Sequence, residues 1–295
     1  MKDVGCQSMV DEVKFLLVKH PQASHQTQAR MDEQWRTLFY LAPQSYEQIL
    51  AEFAGFVALL EQFDLEIGYL PAAADTGLDS IYTHDPLVIS NQGAILCNMG
   101  KVARQDEPEA AARYLHQIGV PILGRITGDG RLEGGDVCWL DDRTVAVGEG
   151  YRSNAEGIRQ LRDLLGDTVD NVIPVPLPHW TGPDDCLHLL SFISPVDHDL
   201  AVVYSRMMPV PFRQFLLERG MRLVEVPDEE YDSMACNVLA VAPRQCIMLA
   251  GNPITQQRLE AAGATVLTYV GNDLCLKGGG GPTCLTRPIV RSSTG

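Results

Sequence analysis

The sequence predicts an α/β fold in which five ββαβ units close into a propeller-like ring. Three observations support this prediction. Amphipathic helical segments recur along the chain, a short apolar strand follows each of them, and a strand hairpin precedes each of them. The spacing of about 40 to 55 residues is typical of a radial array of repeats. Four of the five helical segments end at a glycine, which favours a left-handed helix cap: Gly119, Gly166, Gly220 and Gly263.

The helices are predicted from apolar residues at helical spacing. The first begins at Ser45-Tyr-Glu-Gln48, which has the pattern of a capping box, and continues with apolar residues on one face. In chain order, the predicted helices are 45–63, 107–118, 154–165, 211–219 and 254–262. The strands predicted to follow them are 65–70, 120–123, 172–175, 223–226 and 266–270.

The hairpins are predicted from pairs of short apolar runs split by a polar turn. The last apolar run, 284–290, has no helix after it, so we expect it to pair with the first unit and close the ring. Residues 1–295 then form one catalytic domain. The predicted hairpins are 15–18 with 37–40, 87–90 with 94–97, 137–140 with 144–147, 190–193 with 200–204, and 238–241 with 246–249.

The composition is that of a soluble globular protein with an acidic surface. A net charge of -15 and a pI near 4.8 argue against nucleic acid or an anionic membrane as partner and favour a small cationic substrate. No apolar run is long enough to span a membrane and no signal peptide is evident, which predicts a cytoplasmic protein. The eight cysteines form no CxxC pairs, so neither a zinc site nor a disulfide framework is predicted.

A run of glycines precedes the last predicted strand, in Lys277-Gly-Gly-Gly-Gly-Pro-Thr-Cys284. Four consecutive glycines and a proline do not form a regular helix or a central strand. We interpret the run as a loop that lets a ligand approach the backbone and presents Cys284 as the first side chain of the closing strand. A cysteine alone is more often an inert core residue, so a catalytic role needs support from other residues.

Polar residues precede the first strand of the second, third, fourth and fifth predicted hairpins. Each alone has a simpler explanation, as a turn residue or a hydrogen-bonded core histidine. In a ring of repeats, however, equivalent positions face one another across the axis, so we expect these side chains to meet Cys284 at one mouth. A thiolate nucleophile, a proton-transferring histidine and two carboxylates suit a guanidinium substrate. The residues are Asp85, Glu133, His188 and Asn237.

Four separated motifs, in the same order, resemble the guanidine-modifying superfamily of dimethylargininases, arginine deiminases and glycine amidinotransferases. The resemblance covers residue 79 to the end, is nearest to the dimethylargininases, and implies the five-bladed α/β-propeller called the pentein fold. It implies cleavage of a C–N bond of an arginine-like guanidine without a cofactor. The products would be a ureido compound of the citrulline type and an amine or ammonia. The motifs are Glu133-Gly-Gly-Asp136, Gly150-Tyr-Arg152-Ser-Asn154, His188-Leu-Leu-Ser191 and Gly-Gly-Gly-Pro-Thr-Cys284-Leu.

The resemblance also implies a role for each site residue. Cys284 would attack the guanidinium carbon to form a covalent thiouronium, and His188 would protonate the leaving amine and then activate water. Asp79 would contact the substrate's amino group, while two arginines would bind its carboxylate. The expected catalytic residues are Cys284, His188 and Glu133; the expected substrate-binding residues are Asp85, Asp79, Arg104, Arg152, His84 and Asn237.

Two positions depart from the pattern of the superfamily. Leu190 stands where deiminases and amidinotransferases carry an aspartate and dimethylargininases often a lysine. His84 stands where dimethylargininases of one type carry a glutamate. With one carboxylate fewer, we expect a weaker hold on a plain guanidinium and a preference for a substituted one. A cationic His84 would also repel the substrate, so binding should strengthen as pH rises.

Two other functions stay open at this stage. In an amidinotransferase, an amine instead of water would attack the thiouronium, and product analysis would distinguish the two reactions. A non-catalytic relative would bind arginine derivatives or a protein partner, although the intact Cys284 and His188 favour an enzyme. A metal-dependent ureohydrolase fits less well, because the histidines and aspartates lack paired ligand spacing. A homodimer also stays open.

Overall fold

The computed structural model describes residues 4–292, whose strands form five three-stranded sheets. In every sheet the central strand pairs antiparallel with one neighbour and parallel with the other. The predicted propeller of five ββαβ units is therefore confirmed. The strands are β1 (Glu12–Val18), β2 (Glu66–Tyr69), β3 (Leu87–Ser90), β4 (Gly93–Leu96), β5 (Ile122–Arg125), β6 (Val137–Asp141), β7 (Thr144–Glu149), β8 (Asn171–Pro176), β9 (Ile193–Asp197), β10 (Leu200–Val203), β11 (Arg222–Glu225), β12 (Leu239–Ala242), β13 (Gln245–Leu249), β14 (Thr265–Tyr269) and β15 (Arg287–Ser292).

One longer helix lies in each unit, before the strand that pairs in parallel. The four predicted capping glycines all have positive φ, between 51° and 93°, which a residue without a Cβ adopts at little cost. None of the helices within residues 4–292 has the length and apolar composition needed to cross a membrane. The helices are α1 (Pro21–Ser24), α2 (Gln28–Gln34), α3 (Tyr46–Leu60), α4 (Glu107–Gln117), α5 (Ala155–Leu165), α6 (Val210–Glu218), α7 (Asp228–Tyr231) and α8 (Pro253–Ala261).

The first predicted hairpin is wrong. Residues 37–40 form a turn after α2, and Phe39 has φ of +63°, which interrupts an extended strand. The apolar signal came from burial, because Leu38 and Tyr40 pack into the core beside α3. β1 takes its antiparallel partner from the other end of the sequence instead.

That partner is β15, so the predicted closure of the ring by the last strand is confirmed. Leu16 pairs with Pro288 and Leu17 with Arg287 in the antiparallel register. The strand nevertheless begins later than predicted, and Cys284 lies in the turn before it. That turn is closed by the hydrogen bond from the Leu285 N–H to the Gly281 carbonyl at 3.1 Å.

The fourth hairpin also begins later than predicted, because residues 189–191 form a 3₁₀ turn. The Ser191 N–H donates to the His188 carbonyl at 3.0 Å, and the His188 N–H donates to the Ser191 hydroxyl at 3.0 Å. These two bonds hold the backbone in a turn directly after the histidine, so β9 begins at Ile193.

The apolar core runs around the ring in four clusters, each shared by neighbouring sheets. One cluster joins the first and second units through β1, β3 and β4, and another joins the second and third. A third spans the third, fourth and fifth units, and the last joins the fifth to the first. The ring is therefore closed by this packing and by the β1–β15 pairing. The segments that precede the first strand of each hairpin lie on the same side of the ring.

Candidate active site

Glu133 and His188 form the centre of the site. His188 Nε2 lies 2.7 Å from Glu133 Oε2, and Arg152 Nη1 lies 3.2 Å from the same oxygen. Both carboxylate and imidazole are buried. Burial opposes ionisation of Glu133, but the hydrogen bond from His188 and the charge of Arg152 more than offset it and lower its pKa to about 2. Burial likewise opposes the charge on His188, yet the neighbouring acidic groups raise its pKa well above 6.5. The two groups are therefore an ion pair at neutral pH.

Asp85 lies on the other side of His188, with Oδ1 3.9 Å from Nδ1 of the ring. Its Oδ2 accepts from Arg104 Nη1 at 2.5 Å, and its Oδ1 accepts from the Gly135 N–H at 3.1 Å. Burial would raise the pKa of Asp85, but the positive charges of Arg104 and His188 lower it well below its usual range. The carboxylate is therefore ionised, and the predicted convergence of Asp85, Glu133 and His188 is observed.

The motif Glu133-Gly-Gly-Asp136 is explained by close packing around His188. A Cβ at Gly135 would collide with His188 Nδ1, so the backbone must pass directly beneath the imidazole. Asp136 accepts from the Leu189 N–H at 2.9 Å and from the Ser153 hydroxyl at 2.6 Å. Asp136 thereby ties the motif to the turn that carries the histidine, and burial raises its own pKa to about 6.

Cys284 reaches the site from the turn before β15 and contacts Asn237, whose Nδ2 lies 3.2 Å from Sγ. Asn237 Oδ1 accepts from the Thr283 N–H at 3.0 Å, so one amide holds both the thiol and the turn. Burial and the negative charge of Asp85 raise the pKa of Cys284 to about 12. The thiol is therefore neutral at physiological pH when the site is empty of substrate.

The glycine run packs against protein side chains, whereas the sequence suggested an approach by ligand. A Cβ at Gly280 would lie 2.6 Å from Tyr82 Cδ1, and one at Gly281 would lie 2.6 Å from Asn237 Cγ. Gly279 has φ of +79°. The glycines are required because the loop runs over Tyr82 and Asn237 on its way to Cys284.

Asp79 is buried beside the phenols of Tyr40 and Tyr82, and burial together with its charge raises the pKa of Tyr40. Its Oδ2 lies 2.7 Å from Nζ of Lys101, which also donates to the Leu38 carbonyl at 2.8 Å. The predicted ligand for an amino group thus has an ammonium partner from the chain itself.

Asp85, Glu133 and His188 also offer ligand atoms that lie within 4.8 Å of one another, as a metal site would. Metal ligation requires a deprotonated imidazole nitrogen and free carboxylate oxygens. Here His188 Nε2 and Glu133 Oε2 are engaged with each other. A metal ion would fit these residues only after that hydrogen bond and its proton were lost.

The family model of N,N dimethylarginine dimethylhydrolase, eukaryotic, matches residues 23–291. The chain belongs to this family. A relative from Pseudomonas aeruginosa, N(G),N(G)-dimethylarginine dimethylaminohydrolase, is 27% identical over 251 residues, which are 85% of this chain and 92% of the relative. The family match confirms the predicted class of enzyme, an amidine hydrolase.

Solved structures confirm the pentein fold. A mutant of the dimethylarginine dimethylaminohydrolase from Pseudomonas aeruginosa, complexed with citrulline, gives a TM-score of 0.76 at 22% identity over 93% of this chain and 98% of that chain. The amidinotransferase SxtG from Microseira wollei gives a TM-score of 0.81 at 13% identity over 99% and 98%. At these identities the likeness concerns the fold.

Within the family, His84 was expected to replace a carboxylate in the guanidinium pocket, and the structure corrects this expectation. His84 Nδ1 lies 2.9 Å from the Thr286 carbonyl, and the residue lines a small pocket together with Arg287. Burial, and then the charge of Arg287, lower the pKa of His84 to about 3. The ring is therefore neutral at pH 7, and the pH-dependent repulsion of substrate proposed for it has no basis.

Arg104 also differs from expectation, because all three of its nitrogens donate to the protein. Nη1 bonds to Asp85 as described, Nε and Nη2 bond to Glu107 at 3.0 and 2.8 Å, and Nη2 reaches the Tyr82 carbonyl at 2.9 Å. Arg104 therefore positions Asp85, and its binding of a substrate carboxylate stays a prediction. Arg152 donates to Glu133 and to the Asp185 carbonyl at 3.4 Å, which leaves further N–H donors.

Three residues near the site were not predicted from the sequence. Cys186 is exposed with Sγ 3.6 Å from His188 Nδ1, and its position two residues before the histidine was the available signal. Lys101 and Glu107 flank the predicted Arg104, but nothing in their spacing revealed their partners. Leu190, the other departure from the family pattern, is buried in the core and contributes no charge.

Proposed function

We propose that the chain hydrolyses a C–N bond of an arginine-derived guanidine, with Cys284 as nucleophile and His188 as proton donor. The observation that carries this proposal is the ion pair of His188 with Glu133, flanked by the ionised Asp85. A buried imidazolium between two carboxylates has no evident structural purpose, but it is the state that a general acid requires.

The carboxylates of Asp85 and Glu133 support binding of a guanidinium. Both stay ionised at neutral pH because their pKa values are lowered. Carboxylates accept the forked N–H donors of a guanidinium in a planar arrangement. Arg152 supports binding of a carboxylate at the other end of the substrate.

The thiol of Cys284 is neutral in the free enzyme, so the substrate must help to activate it. A guanidinium beside Sγ favours the thiolate by direct charge attraction, and the thiol proton passes to solvent. The thiolate then attacks the guanidinium carbon and forms the C–S bond. Collapse of this adduct breaks a C–N bond, and the proton on His188 passes to the departing nitrogen. The resulting neutral His188 takes a proton from a water molecule as its oxygen attacks the thiouronium carbon. The C–S bond of this second adduct then breaks, and the remaining hydroxyl proton returns to sulfur, which leaves the ureido product and the thiol.

The experiment is to incubate the protein with arginine, its mono- and dimethylated forms and other guanidines, and to measure ureido product and released amine. Cys284→Ser should lower the rate by several orders of magnitude, because a serine hydroxyl is not ionised here. Cys246→Ala, at a buried thiol outside the site, is the matched control and should keep its activity. Retention of more than about a hundredth of the rate by Cys284→Ser would contradict covalent catalysis.

The same incubation distinguishes hydrolysis from amidino transfer. Candidate acceptor amines are added at increasing concentration, and the products are separated by mass spectrometry. A hydrolase forms the ureido product regardless of the amine. Formation of a new guanidine at the expense of the ureido product would establish a transferase instead.

A further inference from the structure

Lys101 is fixed at the active site by its backbone. Its N–H donates to Glu133 Oε1 at 3.0 Å, on the same carboxylate that pairs with His188. The preceding Gly100 passes so close to Arg152 that a Cβ would lie 2.6 Å from the Arg152 carbonyl oxygen. The backbone of Lys101 is therefore held against Glu133, and the position of its Cα is set by the same carboxylate that pairs with His188.

The ammonium of Lys101 forms an ion pair with the buried carboxylate of Asp79. Nζ lies 2.7 Å from Oδ2 and 2.8 Å from the Leu38 carbonyl oxygen, and the lysine side chain is 17% exposed against 5% for Asp79. Among the described residues, Lys101 is the cation that pairs with Asp79. The other neighbours of this carboxylate include the buried phenols of Tyr40 and Tyr82, which carry no charge at neutral pH.

One buried carboxylate neutralises one ammonium. A second ammonium brought to Asp79 would meet Nζ of Lys101 at close range, in surroundings where charges are poorly screened. A carboxylate at the far end of the substrate would instead contact Arg152, which keeps free N–H donors. The charge of the pocket therefore favours a substrate whose far end is acidic and not zwitterionic.

We propose that Lys101 is a built-in substitute for a substrate ammonium group. The chain then selects guanidino carboxylates without a free α-ammonium, such as 5-guanidinopentanoate or Nα-acylated arginines, over arginine and its methylated forms. This inference rests on the proposed function, since it concerns the other end of the same substrate. Lys101 is the residue that decides this specificity.

The test compares kcat/KM for 5-guanidinopentanoate and for arginine, which differ only in the α-amino group. The wild-type protein should prefer 5-guanidinopentanoate by about tenfold or more, the range of one charge-assisted contact. Lys101→Met leaves Asp79 free for an ammonium, so KM for arginine should fall and the preference should shift towards arginine by about tenfold to a hundredfold. Lys14→Met, at a lysine of β1 paired with Glu12, is the matched control and should leave the preference unchanged.

The double variant Asp79→Asn with Lys101→Met separates specificity from folding, because it removes both charges and leaves no unpaired buried carboxylate. This double variant should have about the same kcat/KM for 5-guanidinopentanoate as for arginine. Calorimetric titration of Cys284→Ser with both compounds measures the preference without turnover, so failure of hydrolysis and failure of the ammonium assignment are seen separately. The inference would be overturned if the wild-type protein preferred arginine. It would also be overturned if Lys101→Met lowered kcat/KM equally for 5-guanidinopentanoate and for arginine.

Discussion

Asn237 and Asp136 illustrate how single residues set the protonation states on which the site depends. Asn237 donates to Cys284 Sγ and thereby favours the thiolate, against burial and Asp85, which favour the thiol. Asp136 is buried and holds the His188 turn through two accepted hydrogen bonds. In both cases a neighbouring side chain positions or tunes a group of the candidate site.

We expect Asn237→Ala to slow catalysis by about tenfold to a hundredfold, since a hydrogen bond to a charged group is worth about 1.5–3 kcal/mol. Loss of the donor raises the pKa of Cys284 further, so the rise of kcat with pH should move to higher pH. A pH–rate profile measures this shift, with Asn98→Ala as control, because the side chain of Asn98 donates to the backbone carbonyls of Gly128 and Gly130. An unshifted profile would contradict the role of Asn237.

The raised pKa of Asp136 predicts how the free energy of unfolding depends on pH. Its pKa is 3.8 in the unfolded chain and about 6 in the folded protein. The folded state therefore binds the proton of Asp136 more tightly than the unfolded chain does. The resulting contribution to the free energy of unfolding is complete below pH 3.8 and is lost as pH rises through 6. Asp136→Asn keeps an acceptor for the Leu189 N–H but does not titrate. Relative to wild type, its free energy of unfolding in urea should increase from pH 4 to pH 7, and a constant difference would contradict the assignment.

At the scale of elements, α3 and the glycine run together position the thiol of Cys284. Glu52 of α3 accepts from the N–H groups of residues 272–274 at 2.7 to 3.1 Å, which holds the π-helical turn Asn272–Leu276. The glycine run leaves this turn and crosses Tyr82 before it reaches Cys284. A helix of the first unit thus fixes a loop that follows the fifth.

We expect Gly280→Ala to destabilise the protein and to reduce activity, because the new Cβ would collide with the ring of Tyr82. Overpacking of this kind costs about 1–3 kcal/mol. Gly55→Ala, in the exposed face of α3 with nothing within 4 Å of the new Cβ, is the control and should stabilise the protein by up to about 1 kcal/mol. Urea unfolding measures the free energy of unfolding of both variants. Equal effects of the two substitutions would show that the loop is not tightly packed.

At the scale of the whole molecule, ring closure depends on residues far apart in the chain. β15 supplies the antiparallel partner of β1, and the neighbouring turn supplies Cys284. The last apolar cluster joins the fifth unit to the first. The thiol of Cys284 is therefore placed beside the other site residues by the closure of the ring. The prediction of a homodimer stays a prediction.

A chain ending at Thr286 should test this dependence, since it keeps Cys284 but lacks β15. We expect it to lose cooperative unfolding and activity together, because β1 is left as an unpaired edge between two apolar clusters. Far-UV circular dichroism during urea titration measures the transition, with the intact chain as reference. A truncated chain that unfolds cooperatively and retains turnover would show that closure by β15 is not required.

The sequence by itself determined the five units, the helix caps and the residues that meet at the mouth. These follow from patterns within a few residues or from a repeated position, and both are visible without a fold. The strand predicted at residues 37–40 was wrong, because the apolar side chains of Leu38 and Tyr40 are buried in a turn. A short apolar run alone does not distinguish a buried turn from a strand.

Only the tertiary structure decided which charge faces which partner. Lys101 pairs with Asp79, Arg104 with Asp85 and Glu107, and His84 with the Thr286 carbonyl. Ion pairing is strong over a few ångströms and depends on burial, so one residue type can bind a substrate or a neighbour according to packing. The partners here come from separate segments, and only the closed ring brings them into contact.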